Sequence, residues 1–172
     1  TANDKVFVSE HFDQSIFPVL TPLAVDPAHP FPFVPNNGYG LALALKRLND
    51  GEQVTAILPF PNRLPRFLRL PGRAIRAIAL EHIAGMFTDR LFPGFEVQGK
   101  GCFRVIRDSE LEIDEEAEDL VHLFESALKR RRRGHVVRLS CDAGIPQVLA
   151  AELAREADVG LDEVVFTIGL EL

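Results

Sequence analysis

Apolar positions follow two rhythms along this chain, a helical one and an alternating or continuous one, and together they predict the element order. Within residues 6–17, Val6, Phe12 and Ile16 or Phe17 suit one face of a short helix that Pro18 ends. Leu41–Leu45 and Val54–Leu58 are apolar runs on either side of Asn49-Asp50-Gly51, a combination that predicts a hairpin. Alternation puts Leu41, Leu43 and Leu45 on one face and Ala42 and Ala44 on the other, so a neighbour should pack closely on the alanine side. Pro59–Pro65 reads as a stiff connector and Arg66–Leu70 as a short strand. Ala74–Ala79 leads into a helix from Leu80 to Leu91, with Ile83, Phe87 and Leu91 inward and Pro93-Gly94 as the stop. In Phe95–Arg107, Phe103 and Val105 share one strand face and Arg104 and Ile106 the other, while Gly99 and Gly101 predict a bulge, a bend or a turn between two strands.

The cleanest amphipathic stripe is Leu120, Leu123, Phe124, Ala127 and Leu128, which predicts a helix over Asp114–Arg133 that Gly134 ends. His135–Cys141 alternates as a strand with Val137, Leu139 and Cys141 on one face. Ile145–Ala157 predicts another helix, Pro146 in its first turn and Val148, Leu149 and Leu153 inward. Val164–Ile168 closes the order as a strand. The fold class expected is α+β: a mixed, largely antiparallel sheet packed with about four helices in a single compact domain.

One segment departs from both rhythms. Ile16–Asn37 holds Pro18, Pro22, Pro27, Pro30, Pro32 and Pro35, yet is rich in apolar side chains. Each proline fixes its φ and removes a donor, and the preceding residue is pushed toward extended backbone. A flexible linker would be polar. The expectation is a rigid extended strap that presents its phenylalanines to the core.

Composition narrows the class. A chain of 172 residues with 47% hydrophobic and 26% charged residues is ordinary globular material. No apolar run is long enough to span a membrane. The opening residues lack a secretory pattern, and the absence of an initial Met points to a piece of a longer chain. Cys102 and Cys141, far apart in sequence, read as two buried thiols of a reducing cytoplasm. Net charge is −6, which argues against a dedicated nucleic-acid binder. The charge is patterned, however: Asp108–Asp119 is acidic without a base, and Lys129-Arg130-Arg131-Arg132-Arg133 is a run of bases.

That basic run is the candidate site. Guanidinium forks grip phosphate oxygens in pairs, so Lys129, Arg130, Arg131, Arg132 and Arg133 suit a polyanion, joined by Arg138, and by Arg104 and Arg107 if they lie on the same side. The competing reading is structural. Successive helical residues point about 100° apart, and bases at a helix end complement its dipole. Asp26 and His29 are three residues apart but read as part of the packed strap, and Asp108–Asp119 as a solvated helix entrance. No residue is assigned a catalytic, cofactor-binding or metal-binding role.

The strap resembles the stretch that opens the middle, or head, domain of bacterial polyphosphate kinases, F-P-V-L-T-P-L-A-V-D-x-x-H-P-F-P followed by Asn. Phe17–Leu23, Asp26, His29–Pro32 and Asn36 carry the likeness. Leu64–Pro71, Leu91–Val97, Phe103–Ile113 and Arg131–Leu139 continue it in order. Pro35 stands where the pattern has Ser or a similar residue, Asn37-Gly38-Tyr39 interrupts the following apolar strand, and Thr167–Leu172 lacks the proline of the family's domain junction.

The resemblance implies a head domain over residues 1–172, with residues 1–17 a leading helix at the junction to an N-terminal domain outside this chain. The whole enzyme it implies moves the terminal phosphate of ATP reversibly onto inorganic polyphosphate with magnesium. Its phosphohistidine lies on other domains, and the head domain frames the site and supports dimer contacts. The fragment is expected to be inactive, cytoplasmic with peripheral membrane association, and partnered by the remaining domains and a second copy. Polyphosphate is a further expected partner. The alternative is a free-standing module for polyphosphate or nucleic acid that uses Lys129–Arg133.

Overall fold

The computed structural model describes residues 1–25, 32–108 and 134–168. Helix α1, Ala2–His11, continues through a π-helical turn at Phe12–Ile16 and a 3-10 turn at Phe17–Val19 that contains Pro18. Val8, Phe12, Ile16 and Leu20 are buried at four-residue spacing, and the Phe12 ring stacks on Phe87 with centroids 4.4 Å apart. The apolar pattern puts Val6 and either Ile16 or Phe17 on this stripe. Val6 and Phe17 are exposed, because the four-residue repeat starts at Val8 and rotates them away from it.

Six strands form the main sheet in the order β1-β3-β2-β6-β7-β8. They are β1 Leu23–Val25, β2 Gly38–Arg47, β3 Gln53–Pro59, β6 Phe95–Arg107, β7 Val136–Asp142 and β8 Val165–Thr167. All pairings are antiparallel except β7–β8. The expected hairpin is β2–β3, with Gly51 at φ 76° in the connection. A separate two-stranded ribbon joins β4, Phe67–Arg69, to β5, Ala77–Ala79. The helix expected over Leu80–Leu91 is two, α2 Leu80–Met86 and α3 Thr88–Leu91, because Phe87 at φ −119°, ψ 29° breaks the helical path. Helix α4 is Gln147–Ala157, so the sheet is mixed and largely antiparallel and the fold is α+β, as expected. Among the described residues no helix is long and apolar enough to cross a membrane.

The sheet is buried on both faces at its central strand β2. Leu41, Leu43 and Leu45 of β2 enter one core with Val8, Phe12, Leu80 and Ile83, while Ala42 enters another with Leu149, Ala150 and Leu153 of α4. The neighbour expected against the alanines is therefore α4 and the turn before it. Gly99 and Gly101 serve the same approach. A Cβ at Gly101 would lie 2.4 Å from Ile145 Cβ, and one at Gly99 2.5 Å from Pro146 Cγ. β6 runs unbroken through both glycines, and the register slips by one residue where Ala44 pairs Gly99 but Leu45 pairs Val97. Of the sequence's three options the bulge is realised.

Other side chains turn out differently from expectation. Val148 is 73% exposed, on the opposite side of α4 from the buried Leu149, Ala150, Leu153 and Ala154. Val137 is 62% exposed, since a second bulge makes Arg107 pair Val136 while Ile106 pairs Arg138, leaving Val137 without a register partner. In the strap, β1 is a short edge strand, which suits a proline-rich segment. Leu20 and Val34 are buried, but Phe33 is exposed: successive residues of an extended backbone point opposite ways, and Val34 takes the inward position. Asp26, His29, the helix expected over Asp114–Arg133 and most of the acidic run lie outside the described residues. Both cysteines are free and buried, Cys102 in the α1–α2 core and Cys141 in the α4 core.

Replacing Gly101 by Ala should lower stability by about 1–3 kcal/mol through overpacking. Gly144→Ala, with nothing within 4 Å of the added Cβ, should stay within about 0.5 kcal/mol. Urea denaturation midpoints of the two variants test this pair.

Candidate functional site

The arginines singled out from the sequence part company in the structure. Strand periodicity is two, so Arg104 and Arg107, three residues apart, face opposite sides of the sheet. Arg107 faces the α4 side. Its Nε donates to the Val34 carbonyl at 2.8 Å and its Nη1 to the Gly134 carbonyl at 2.9 Å. Its guanidinium carbon lies 4.7 Å from the centroid of the Phe33 ring, and its backbone N–H donates to Asn36 Oδ1 at 2.8 Å. Burial pulls its pKa below the ordinary value. Arg107 is thus a clamp on the strap, with both named donors committed to backbone.

Arg104 and Arg138 share the other face. Arg104 sits between Tyr39 on β2 and Ser140 on β7 in register, and Arg138 Nε donates to Ser140 Oγ at 3.0 Å. Asn37 takes the left-handed conformation, φ 59°, that turns the strap into β2, and its Oδ1 accepts from Arg104 Nη1 at 2.8 Å. The Asn37-Gly38-Tyr39 departure is thereby the entry to β2 rather than an interruption of it. The Tyr39 ring packs on Phe60 and has two guanidinium carbons over it, Arg104 at 5.2 Å and Arg66 at 5.6 Å from the centroid. Arg66 in turn donates to Glu81 Oε1 from Nε at 3.0 Å and Nη2 at 2.8 Å. Lys129, Arg130, Arg131, Arg132 and Arg133 lie outside the described residues.

Part of this polar layer is buried. Tyr39 is 9% exposed and Glu81 7%. Tyr39 Oη, Arg104 Nε and Glu81 Oε2 have no hydrogen-bond partner among the described residues. Burial first, and then the Glu81 carboxylate, raises the Tyr39 pKa. Neighbouring Cys102 is a poor nucleophile, its pKa pushed up to about 12, mainly by burial. Sequence reasoning missed Tyr39, Arg66, Glu81 and Ser140 because they come from separate elements with no local spacing to mark them.

Residues 3–170 match the family described as polyphosphate kinase middle domain. The chain belongs to that family. Among similar proteins, the polyphosphate kinase of Erythrobacter litoralis is 47% identical over 88% of this chain and 21% of its own length. That of Mycolicibacterium gilvum is 39% identical over 97% of this chain and 24% of its own. A crystal structure of polyphosphate kinase from Porphyromonas gingivalis shares the fold, with a TM-score of 0.75 at 24% identity, over 99% of this chain and 24% of that one. The chain therefore spans about a quarter of the length of these relatives.

Two measurements probe this polyphosphate kinase middle domain. Tyr39→Phe should leave stability unchanged or raise it by up to about 1 kcal/mol, since the hydroxyl removed has no partner among the described residues; thermal denaturation reads it. The thiol pKa values, raised from 9.0 to about 12 at Cys102 and at Cys141, favour the native state fully below the unfolded value. As pH climbs from 9 toward 12 the unfolded chain releases protons that the native chain keeps. Stability should then fall by about 1.4 kcal/mol per pH unit for each thiol. Urea midpoints taken through that window should decline less in the Cys102→Ala/Cys141→Ala variant.

Proposed function

We propose that this chain is the scaffold domain of a polyphosphate kinase, a larger enzyme that transfers the terminal phosphate of ATP reversibly to inorganic polyphosphate. The observation that carries the reading is the match over residues 3–170 to the middle domain of that family, in relatives about four times as long. The use of its polar side chains supports it. Arg107 fastens the strap, Arg66–Glu81 joins the ribbon to α2, and Arg76–Asp4 joins the ribbon to α1, so these groups hold elements in place. Among the described residues no group of three or more His, Cys, Asp or Glu side chains is placed to hold a metal ion. Nucleotide and magnesium are assigned to the remainder of the enzyme.

The partners in this reading are the other domains of the same polypeptide and a second copy of it. Edge strand β8 exposes Val165 and Phe166, with Ile168 just beyond at 80% exposure, an apolar edge suited to another domain of the longer polypeptide. The reading places the enzyme in the cytoplasm, in keeping with two free thiols, and at the membrane only peripherally.

The 172-residue chain should show no ATP-dependent polyphosphate synthesis, whereas the longer polypeptide that contains it should. A radiolabelled ATP assay on both decides the matter. Synthesis by the short chain would overturn the scaffold role, and inactivity of the long one would overturn the kinase reading.

A further inference from the structure

Between Glu52 and Glu81 the chain has no carboxylate and five arginines, Arg63, Arg66, Arg69, Arg73 and Arg76, although its net charge is −6. The fold gathers them on and beside the β4–β5 ribbon. Leu64, Leu68, Leu70 and Ile78 pack inward on the α1–α2 core. Arg66 is bound to Glu81, and Arg76 reaches Asp4 at 2.7 and 3.0 Å and the Pro71 carbonyl at 2.9 Å. Those two anchor the ribbon. Arg76 also draws the Asp4 carboxyl far below the usual carboxylate range.

The other three are different. Arg63, Arg69 and Arg73 are exposed and make no hydrogen bond or ion pair among the described residues. Arg69 stands opposite Ala77 and Phe67 opposite Ala79, where an opposite charge across from the arginine would stabilise the pair. Phe67 is 49% exposed and Ile75, in the connection, 90%. Three exposed arginines within eleven residues, with no carboxylate between them in the chain, raise the local positive potential, which draws in anions. Arginine adds a planar fork that matches phosphate oxygens in pairs.

We propose that the ribbon is a docking surface for a linear polyanion of closely spaced phosphates, condensed inorganic phosphate, held by Arg63, Arg69 and Arg73. The choice of ligand rests on the kinase reading; the surface itself does not. The ribbon is narrow and the chain as a whole is acidic. A slim phosphate chain fits a three-residue-wide ribbon whose own span holds no carboxylate, whereas a membrane plane or a nucleic acid would extend beyond the ribbon onto an acidic domain.

The test is titration of the chain with fluorescently labelled polyphosphate at several salt concentrations. Neutralising Arg63→Gln/Arg69→Gln/Arg73→Gln should weaken binding by about tenfold or more and flatten the salt dependence by about 2, at roughly 0.7 for each phosphate no longer engaged. Circular dichroism and the urea midpoint should not change, and the corresponding triple lysine variant should retain most of the salt slope. Unchanged affinity in the folded glutamine variant would overturn the proposal, as would weakening confined to a variant neutralised at Lys129–Arg133. Tighter binding of single-stranded RNA or of phosphatidylserine vesicles, abolished in the same glutamine variant, would assign the ribbon to that ligand instead and also overturn it. Failure of the longer polypeptide to make polyphosphate would sink the kinase reading and leave the ribbon's binding result intact.

Discussion

The close approach of α4 and the turn before it to the middle of the sheet holds this fold together. It requires that β2 and β6 carry almost nothing on one side: Ala42 and Ala44 on the first, Gly99 and Gly101 on the second. Ile145 and Pro146 fill the space those glycines leave. With that side closed by α4 and the other by α1 and α2, the central strands are buried on both faces, and the long apolar run of β2 follows. Core interiors are packed densely enough that one added methyl group must displace a neighbour. The two glycines are therefore packing residues more than turn residues.

Around that core, arginine has two kinds of role. Arg107, Arg66 and Arg76 are committed to carbonyls and carboxylates that join elements distant in the chain. Each is at least partly covered, so removing its partner would strand a desolvated charge or polar group. Arg104 is intermediate, held by Asn37 and stacked on Tyr39 yet with Nε unmet among the described residues. Arg63, Arg69 and Arg73 have no such obligations there. These roles side by side separate an arginine that builds the domain from one available to a ligand, a distinction that net charge cannot make.

Family resemblance and physical reading agree where the fold is local. The β2–β3 hairpin, the strand at β6, the helix at α4 and the closing strand β8 lie close to where alternation and turn residues put them. The errors cluster at bulges and helix faces. Val137 faces outward because a bulge in β7 shifts the register, and Val148 because α4 points its small residues inward beside its leucines. Neither feature has a local signature strong enough to find in advance. The arginine-rich ribbon does have one, an acid-free span of 28 residues from Gln53 to Leu80, but it is far less conspicuous than the unbroken basic run at Lys129–Arg133.

Fold class, the order of most elements, the close-packed alanine face and the family all follow from the residues read in order, because each rests on short-range periodicity or on collinear motifs. Which arginines meet carbonyls, which meet carboxylates and which meet none among the described residues emerges only in three dimensions. So does the half-buried layer of Tyr39, Arg66, Glu81 and Arg104. The reason is physical: periodicity fixes the face a side chain leaves from, but its partner comes from another strand or helix, and only the register and bulges of the assembled sheet bring the two together.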